Sequence, residues 1–279
     1  MIAPSVAALP ITDIELSLLL EAVYRVSGFD FRDYTPSFVK RRVSERMRAE
    51  DVSTISALQD RLLHDAEALD RFIYSVSCRN AKLFDEPAFY AELRAVVIPM
   101  LRTFPSLRIW IAGCGRGEDV YSLAILLREA GLSSRSRIYA TDISATAIQE
   151  AKKGLLAGDT LDSLSRRYRD AGGEAGFEEY VTFMDGVTRI QRSLREQVVF
   201  STHNLVTDGS FNVCELIVCH DLLGQFNKAL AFRAHQVFFE SLVRGGYLAL
   251  GPSESISFSP HHRCYERVSQ TEQIHRRVR

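Results

Sequence analysis

The chain has 279 residues, of which 46% are hydrophobic and 25% charged, and its formal net charge is -1 at pH 7. This length exceeds that of a typical single domain and predicts two folded units with ample apolar material for a core. The small net charge argues against a whole-chain nucleic-acid binder, and no apolar run is long enough to cross a bilayer.

Residues 1–10 lack a charged start and a long apolar block, so we expect no signal peptide. The five cysteines are scattered, odd in number and without a C-x-x-C pair, which favours a reducing, cytoplasmic location. Cys214 and Cys219 lie on an apparent buried strand, where core thiols explain the spacing better than zinc ligands do. We therefore expect no metal site.

The first 80 residues show only helical patterns. Apolar residues recur at helical spacing in four segments, and Pro36 marks the start of the second helix, since a proline at the first helical position loses no hydrogen bond. We predict a small all-α domain over residues 1–80 and a linker helix over 81–104.

From about residue 105, short apolar strands alternate with helices. This order predicts crossover connections and a doubly wound, mostly parallel, Rossmann-like α/β sheet over 105–279, with a terminal antiparallel hairpin formed by 263–268 and 273–278. Residues 158–197 interrupt the alternation and are interpreted as an insertion. The helix that begins at Asn227 is expected to end at Gly245-Gly246.

The run Gly113-Cys114-Gly115-Arg116-Gly117-Glu118 lies between the first strand of this sheet and its helix. Alternating glycines let the backbone turn tightly and approach a ligand at the carboxyl end of the strand. The next strand ends in Asp142, whose carboxylate can accept both ribose hydroxyls of an adenosine.

A glycine turn without a ligand and an NAD site are the alternatives. An NAD site normally needs Gly-x-Gly-x-x-Gly, so that a pyrophosphate meets the helix N-terminus. Here the third glycine comes one residue early, and the carboxylates of Glu118-Asp119 would repel a pyrophosphate but could hold an ammonium. The pattern therefore favours S-adenosylmethionine, or S-adenosylhomocysteine as its product.

Several segments in order resemble the chemotaxis receptor methyltransferase (CheR) family, namely 84–90, 107–114, 117–124, 140–144, 200–205 and 251–255, with 40–43 in the helical leader. Members of this family esterify glutamates on chemoreceptors. The resemblance implies that Glu118 meets the amino-acid end of the cofactor, Asp142 the ribose, and Asn204 and Leu205 the adenine. The candidate cofactor contacts are Gly113, Cys114, Gly115, Gly117, Glu118, Asp142, Ile143, Asn204, Leu205, His220 and Asp221.

The chain departs from the family pattern near the expected catalytic face. Ala81 and Asp85 stand where the family has a threonine and an arginine. The family's Cys-Arg-Asn is here Cys219-His220-Asp221, and its Ile-Tyr-Phe is Gly224-Gln225-Phe226. Methyl transfer to a carboxylate depends on positioning and on the local field, which Asp85 would change in sign. Arg79 is the candidate catalytic residue, since it could swing into the pocket, paired with Asp85 or Asp221, and restore the positive charge there; the alternative is that Arg79 points to solvent and the site is eroded.

Two functions remain open. The chain is either an active methyltransferase for glutamates of chemoreceptors or a related signalling protein, or a catalytically impaired module that binds the cofactor and regulates a bacterial signalling complex. The basic cluster Lys40, Arg41, Arg42 and Arg46 is either a solvated helix face or, by the family analogy, a docking surface for an acidic receptor region. We expect no nucleic-acid partner and no membrane insertion.

Overall fold

The computed structural model describes residues 11–79, 81–156, 158–184, 187–205, 207–210 and 212–279. The chain divides into two compact units, Met1–Val76 and Ser77–Arg279. Among the described residues, no helix is both long enough and apolar enough to cross a membrane.

The first unit is all-α, as its helical patterns predict. Its helices are α1 (Ile11–Ser27), α2 (Pro36–Ala49), α3 (Ile55–His64) and α4 (Ala66–Ser77). The apolar faces of these helices bury Leu19, Leu58 and Phe72 completely. The buried carboxylate of Glu50 forms ion pairs with Arg46, Arg61 and Arg71 at 2.5, 2.9 and 3.0 Å. Hydrogen bonding to Arg71 and the neighbouring positive charges keep the Glu50 pKa below its usual range.

The second unit is built on a seven-stranded sheet of order β5-β2-β1-β6-β7-β9-β8. The strands of this sheet are β1 (Leu107–Ala112), β2 (Ser136–Asp142), β5 (Val198–Thr202), β6 (Cys214–Cys219), β7 (Leu242–Leu250), β8 (Tyr265–Arg267) and β9 (Gln273–Arg277). A separate antiparallel pair is formed by β3 (Val181–Met184) and β4 (Val187–Ile190). The helices are α5 (Pro87–Glu92), which continues through a π-helical turn at Leu93–Val97 into α6 (Ile98–Leu101), α7 (Glu118–Glu129), α8 (Ala145–Lys153), α9 (Leu161–Asp170), α10 (Arg192–Arg195) and α11 (Lys228–Ser241).

The sheet is mostly parallel, which confirms the predicted doubly wound fold. Strands β5, β2, β1, β6 and β7 pair in parallel, whereas β9 runs antiparallel to both β7 and β8 and forms the predicted terminal hairpin. All six residues of β6 are buried, as expected for a strand covered on both faces. The carboxyl ends of five strands therefore meet at one edge of the sheet.

The expected end of the helix at Gly245-Gly246 is wrong. Helix α11 ends at Ser241, and both glycines lie inside β7. The register between β6 and β7 shifts between Cys214 and Leu216, opposite these glycines. Gly245 has φ 85°, and a Cβ on Gly246 would lie 3.0 Å from the carbonyl oxygen of Glu215. The glycines therefore serve a β-bulge with close backbone contact, and not a helix end.

Candidate functional site

The glycine loop joins β1 to α7 at the shared carboxyl edge of the sheet. Gly113, Gly115 and Gly117 have φ values of 73°, 52° and 93°, in the region that other residues avoid. A Cβ on Gly113 would lie 2.9 Å from Cδ2 of Leu222, whereas one on Gly115 would meet nothing within 4 Å. The backbone at Gly115 is thus open to a ligand.

Asp142 ends β2 beside this loop and is only 3% exposed. Its carboxylate accepts the backbone N–H groups of Gly115 at 3.0 Å and Ser144 at 2.9 Å, and the Ser77 hydroxyl. Burial raises the Asp142 pKa, and these hydrogen bonds oppose that effect. The Ile143 backbone also donates to this carboxylate, so the end of β2 presents a buried, hydrogen-bonded acid directly beside the glycine loop.

The candidate adenine contacts follow β5, next to β2. The His203 amide donates to the carbonyl of Asp142 at 3.0 Å, which holds this segment against the end of β2. Asn204 and Ile143 are half-buried, whereas Leu205 is buried. Cys114 also lies at this edge, with its side chain buried in the hydrophobic core and its Sγ 3.8 Å from the Gly115 carbonyl oxygen.

Glu118 is the first residue of α7, directly after the glycine loop. Burial raises its pKa, and its carboxylate pairs with Arg116 at 3.0 Å. A second positive group, such as the ammonium of a methionine moiety, would further stabilise this buried carboxylate. Together with the open loop and Asp142, the donor and acceptor groups fit S-adenosylmethionine.

A cluster of charged side chains adjoins the loop, and we call it the Arg79 cluster; its members are Arg79, Glu86, Tyr90, Asp119, His220 and Asp221. The Arg79 guanidinium donates from Nη2 to Asp119 and from Nη1 to Oδ2 of Asp221, the latter at 3.0 Å. The Tyr90 hydroxyl donates to the other oxygen of Asp119. Burial alone would raise the Asp119 pKa, but the charges of Arg79 and His220 hold it well below its usual range.

His220 follows β6 and is the second cation of the Arg79 cluster. Its ring stacks on Phe89 with centroids 4.6 Å apart, its Nε2 lies 2.8 Å from Glu86, and its Nδ1 lies 3.4 Å from Asp119. Burial disfavours its charged form, yet the two carboxylates raise the His220 pKa to about 10. At neutral pH the imidazole is therefore protonated, and both ring nitrogens donate.

Two sequence hypotheses about Arg79 can be compared with this geometry. Arg79 does not point to solvent, because its side chain is only 17% exposed. Of its two suggested partners, Asp221 pairs with it, whereas Asp85 instead accepts the backbone N–H of Lys82 at 3.2 Å. Asp119, which the sequence indicated with Glu118 as a carboxylate that could hold an ammonium, was not predicted as a partner of Arg79.

The members of the basic cluster on α2 differ in their surroundings. Arg46 is largely buried in its pair with Glu50, and Arg42 pairs with Glu45 at 3.0 Å. Lys40 is exposed and pairs with Asp13 at 2.6 Å. Arg41 is exposed, with its guanidinium 5.6 Å from the centre of the Phe38 ring. The exposed part of the cluster is thus Lys40 and Arg41.

The sheet order, the glycine loop and the buried acid that ends β2 define an α/β domain of the S-adenosylmethionine-dependent methyltransferase class. Residues 79–274 match the family described as CheR methyltransferase, SAM binding domain, and residues 14–77 match CheR methyltransferase, all-alpha domain. The chain belongs to the CheR methyltransferase family, which confirms the resemblance, and its second unit is an S-adenosylmethionine-binding domain.

Individual relatives show how far the similarity extends. The chain is 41% identical to the putative methyltransferase Cher3 of Pseudomonas putida, over 95% of this chain and 97% of that protein. It is 30% identical to the chemotaxis protein methyltransferase of Listeria monocytogenes, over 88% of this chain and 92% of that protein. A solved methyltransferase from Geobacter sulfurreducens in complex with S-adenosyl-L-homocysteine is 16% identical, with a TM-score of 0.36 over 65% of this chain and 53% of that one.

The Asp142 carboxylate generates a prediction about cofactor affinity. Asp142→Ala should weaken the binding of S-adenosylmethionine by about 1–3 kcal/mol, because the ribose hydroxyls and the Gly115 amide lose a buried acceptor. Isothermal titration calorimetry measures this change, with the exposed Asp162→Ala as the matched control. An unchanged dissociation constant in Asp142→Ala would show that this acid does not contact the cofactor.

The raised pKa of His220 predicts how stability depends on pH. Because the folded-state pKa is about 10 and the ordinary value is 6.5, the folded state binds the extra proton between these values. The contribution of His220 is fully present below pH 6.5 and is lost as the pH rises toward 10. Urea unfolding across this range should show a shallower loss of stability in His220→Asn than in the unchanged protein. His64→Asn, at an exposed histidine, should keep the original slope.

Proposed function

We propose that this chain transfers a methyl group from S-adenosylmethionine to a glutamate carboxylate of a chemoreceptor or a related signalling protein. The observation that carries the proposal is the Arg79 guanidinium, which lies beside the glycine loop through its contact with Asp119 in the first turn of α7. The names of relatives such as the Listeria chemotaxis protein methyltransferase support the substrate class. When bound, the cofactor supplies an activated methyl group on its sulfonium.

In this mechanism the side chains orient charge and move no proton. A glutamate side chain has an ordinary pKa of about 4.3, so the acceptor is already ionised at neutral pH. Asp119 fixes one edge of the Arg79 guanidinium, and protonated His220 holds Asp119 from the other side. The remaining charge of Arg79 can then orient one oxygen of the acceptor toward the methyl group, since catalysis here depends mainly on positioning.

A second candidate function is a regulatory module that binds S-adenosylmethionine or S-adenosylhomocysteine without turnover. The pairing of Arg79 with two carboxylates favours this alternative, because a guanidinium that is already paired on both sides attracts an acidic acceptor weakly. Such a module would transmit cofactor binding to a signalling partner.

The role of Arg79 separates the two candidates. In the active enzyme, Arg79→Ala should lower transfer of radiolabelled methyl groups to receptor-containing membranes about tenfold or more, since it removes a preorganised charge. Calorimetry with both cofactor forms should be run beside this assay, and the exposed Arg192→Ala is the control. A protein that binds the cofactor but methylates nothing on these membranes, before or after substitution, would support the regulatory module.

We also propose that Lys40 and Arg41 form the docking surface for the acidic partner. Both side chains are exposed on α2, whereas Arg46 is committed to Glu50 inside the same unit. Exposed positive charge of this kind accelerates the encounter with a negative surface and fixes its register.

Reversing these charges tests the docking surface. The double variant Lys40→Glu/Arg41→Glu should reduce capture of receptor-containing membranes about tenfold at low salt and less at high salt, because exposed charges are screened. Cofactor affinity in calorimetry should stay the same. The double variant Lys152→Glu/Lys153→Glu, at exposed lysines of the second unit, is the control. If capture of the membranes responds neither to charge reversal nor to salt, Lys40 and Arg41 form a solvated helix face and not a docking surface.

A further inference from the structure

The two carboxylates that pair with Arg79 have different surroundings. Asp119 is 6% exposed and also contacts Tyr90 and His220, so its bond to Arg79 belongs to a closed network. The Asp221 side chain is 38% exposed, and its other oxygen lies 3.4 Å from the hydroxyl of Ser253. Asp119 therefore anchors the guanidinium from inside, whereas Asp221 covers its outward half.

The backbone of Asp221 is held independently of its carboxylate. Its φ of 54° is left-handed, a region that Asp and Asn enter more readily than most residues. The Gln225 amide donates to the Asp221 carbonyl at 2.7 Å, and a Cβ on Gly251 would lie 3.0 Å from the Asp221 nitrogen. The carboxylate can therefore be replaced while the surrounding backbone contacts remain.

We propose that Asp221 determines acceptor specificity by competing for Arg79 with the carboxylate that is to be methylated. The inference rests on the proposed methyl transfer to glutamate. An acceptor carboxylate has the same charge and the same two oxygens as the Asp221 side chain, which already occupies Nη1 of Arg79 at 3.0 Å. A free or poorly docked glutamate is rejected, and only an acceptor held by further contacts displaces Asp221. Asp221 is the more exposed partner of this ion pair, so an acceptor carboxylate can approach Arg79 from the side that Asp221 covers.

Asp221→Asn is the direct test, because it removes the charge and keeps the shape and the left-handed backbone. The probes are N-acetylglutamate α-amide, with one side-chain carboxylate, and its neutral glutamine counterpart. Both are titrated into the full chain labelled with ¹⁵N-arginine, and the Arg79 signal is assigned with Arg79→Lys. Asp221→Asn should bind the glutamate probe about threefold to tenfold more tightly than the unchanged protein, with no gain for the glutamine probe.

Control variants make each outcome decisive. Asp170→Asn, at an exposed aspartate on α9, should leave the affinity for the glutamate probe unchanged. Equal or weaker binding of the glutamate probe by Asp221→Asn would overturn the proposal. Asp221→Gly, which also accepts the left-handed backbone, repeats the test if the asparagine variant fails to fold. If neither variant folds by circular dichroism, the carboxylate is structural and the proposal is wrong.

Kinetics separate this inference from the proposed function. Where methyl transfer is measurable, Asp221→Asn should lower KM for a soluble acidic acceptor more than it changes kcat, because the competition concerns binding. If neither protein transfers methyl groups, the proposed function fails, and the affinity of the glutamate probe still decides whether Asp221 covers Arg79.

Discussion

The buried carboxylate of Asp119 is the interaction on which the arrangement of the site depends. A carboxylate at 6% exposure is stable only when charges and hydrogen bonds compensate for its lost hydration. Arg79 and Tyr90 supply this compensation from the segment around α5, and His220 supplies it from the end of β6. Because Asp119 follows the glycine loop by two residues, the contacts that satisfy it also fix both segments against the cofactor loop.

The same network explains how the site keeps a cation despite Asp85. The guanidinium comes from Arg79, six residues earlier on the same segment, and the protonated His220 adds a second positive charge. The Arg79 cluster also contains three carboxylates, those of Glu86, Asp119 and Asp221. The positive charge at this corner therefore comes from Arg79 and His220, and carboxylates outnumber cations in the Arg79 cluster.

Local sequence features predict the fold well but not the contacts around Arg79. The glycine loop was predicted between the first strand of the sheet and its helix, where the structure has it, because this position depends on neighbouring residues. Arg79 and Asp221 are 142 residues apart, so only the folded sheet brings them together. Gly245 was misread because a glycine pair has the same appearance at a helix end and in a β-bulge. The burial of Arg46 likewise depends on Glu50 becoming enclosed.

Three residues with left-handed backbone lie at this corner of the second unit. Phe84, Glu86 and Asp221 all have left-handed φ values, between 53° and 57°, and all lie within or next to the Arg79 cluster. Each such residue costs about 1–3 kcal/mol and persists only when its surroundings impose it. At Asp221 the side-chain amide of Gln225 holds the backbone through the Asp221 carbonyl, and at Glu86 the carboxylate is held by His220. The side chains around Arg79 therefore depend on backbone conformations that the local sequence does not favour and that only the folded surroundings stabilise.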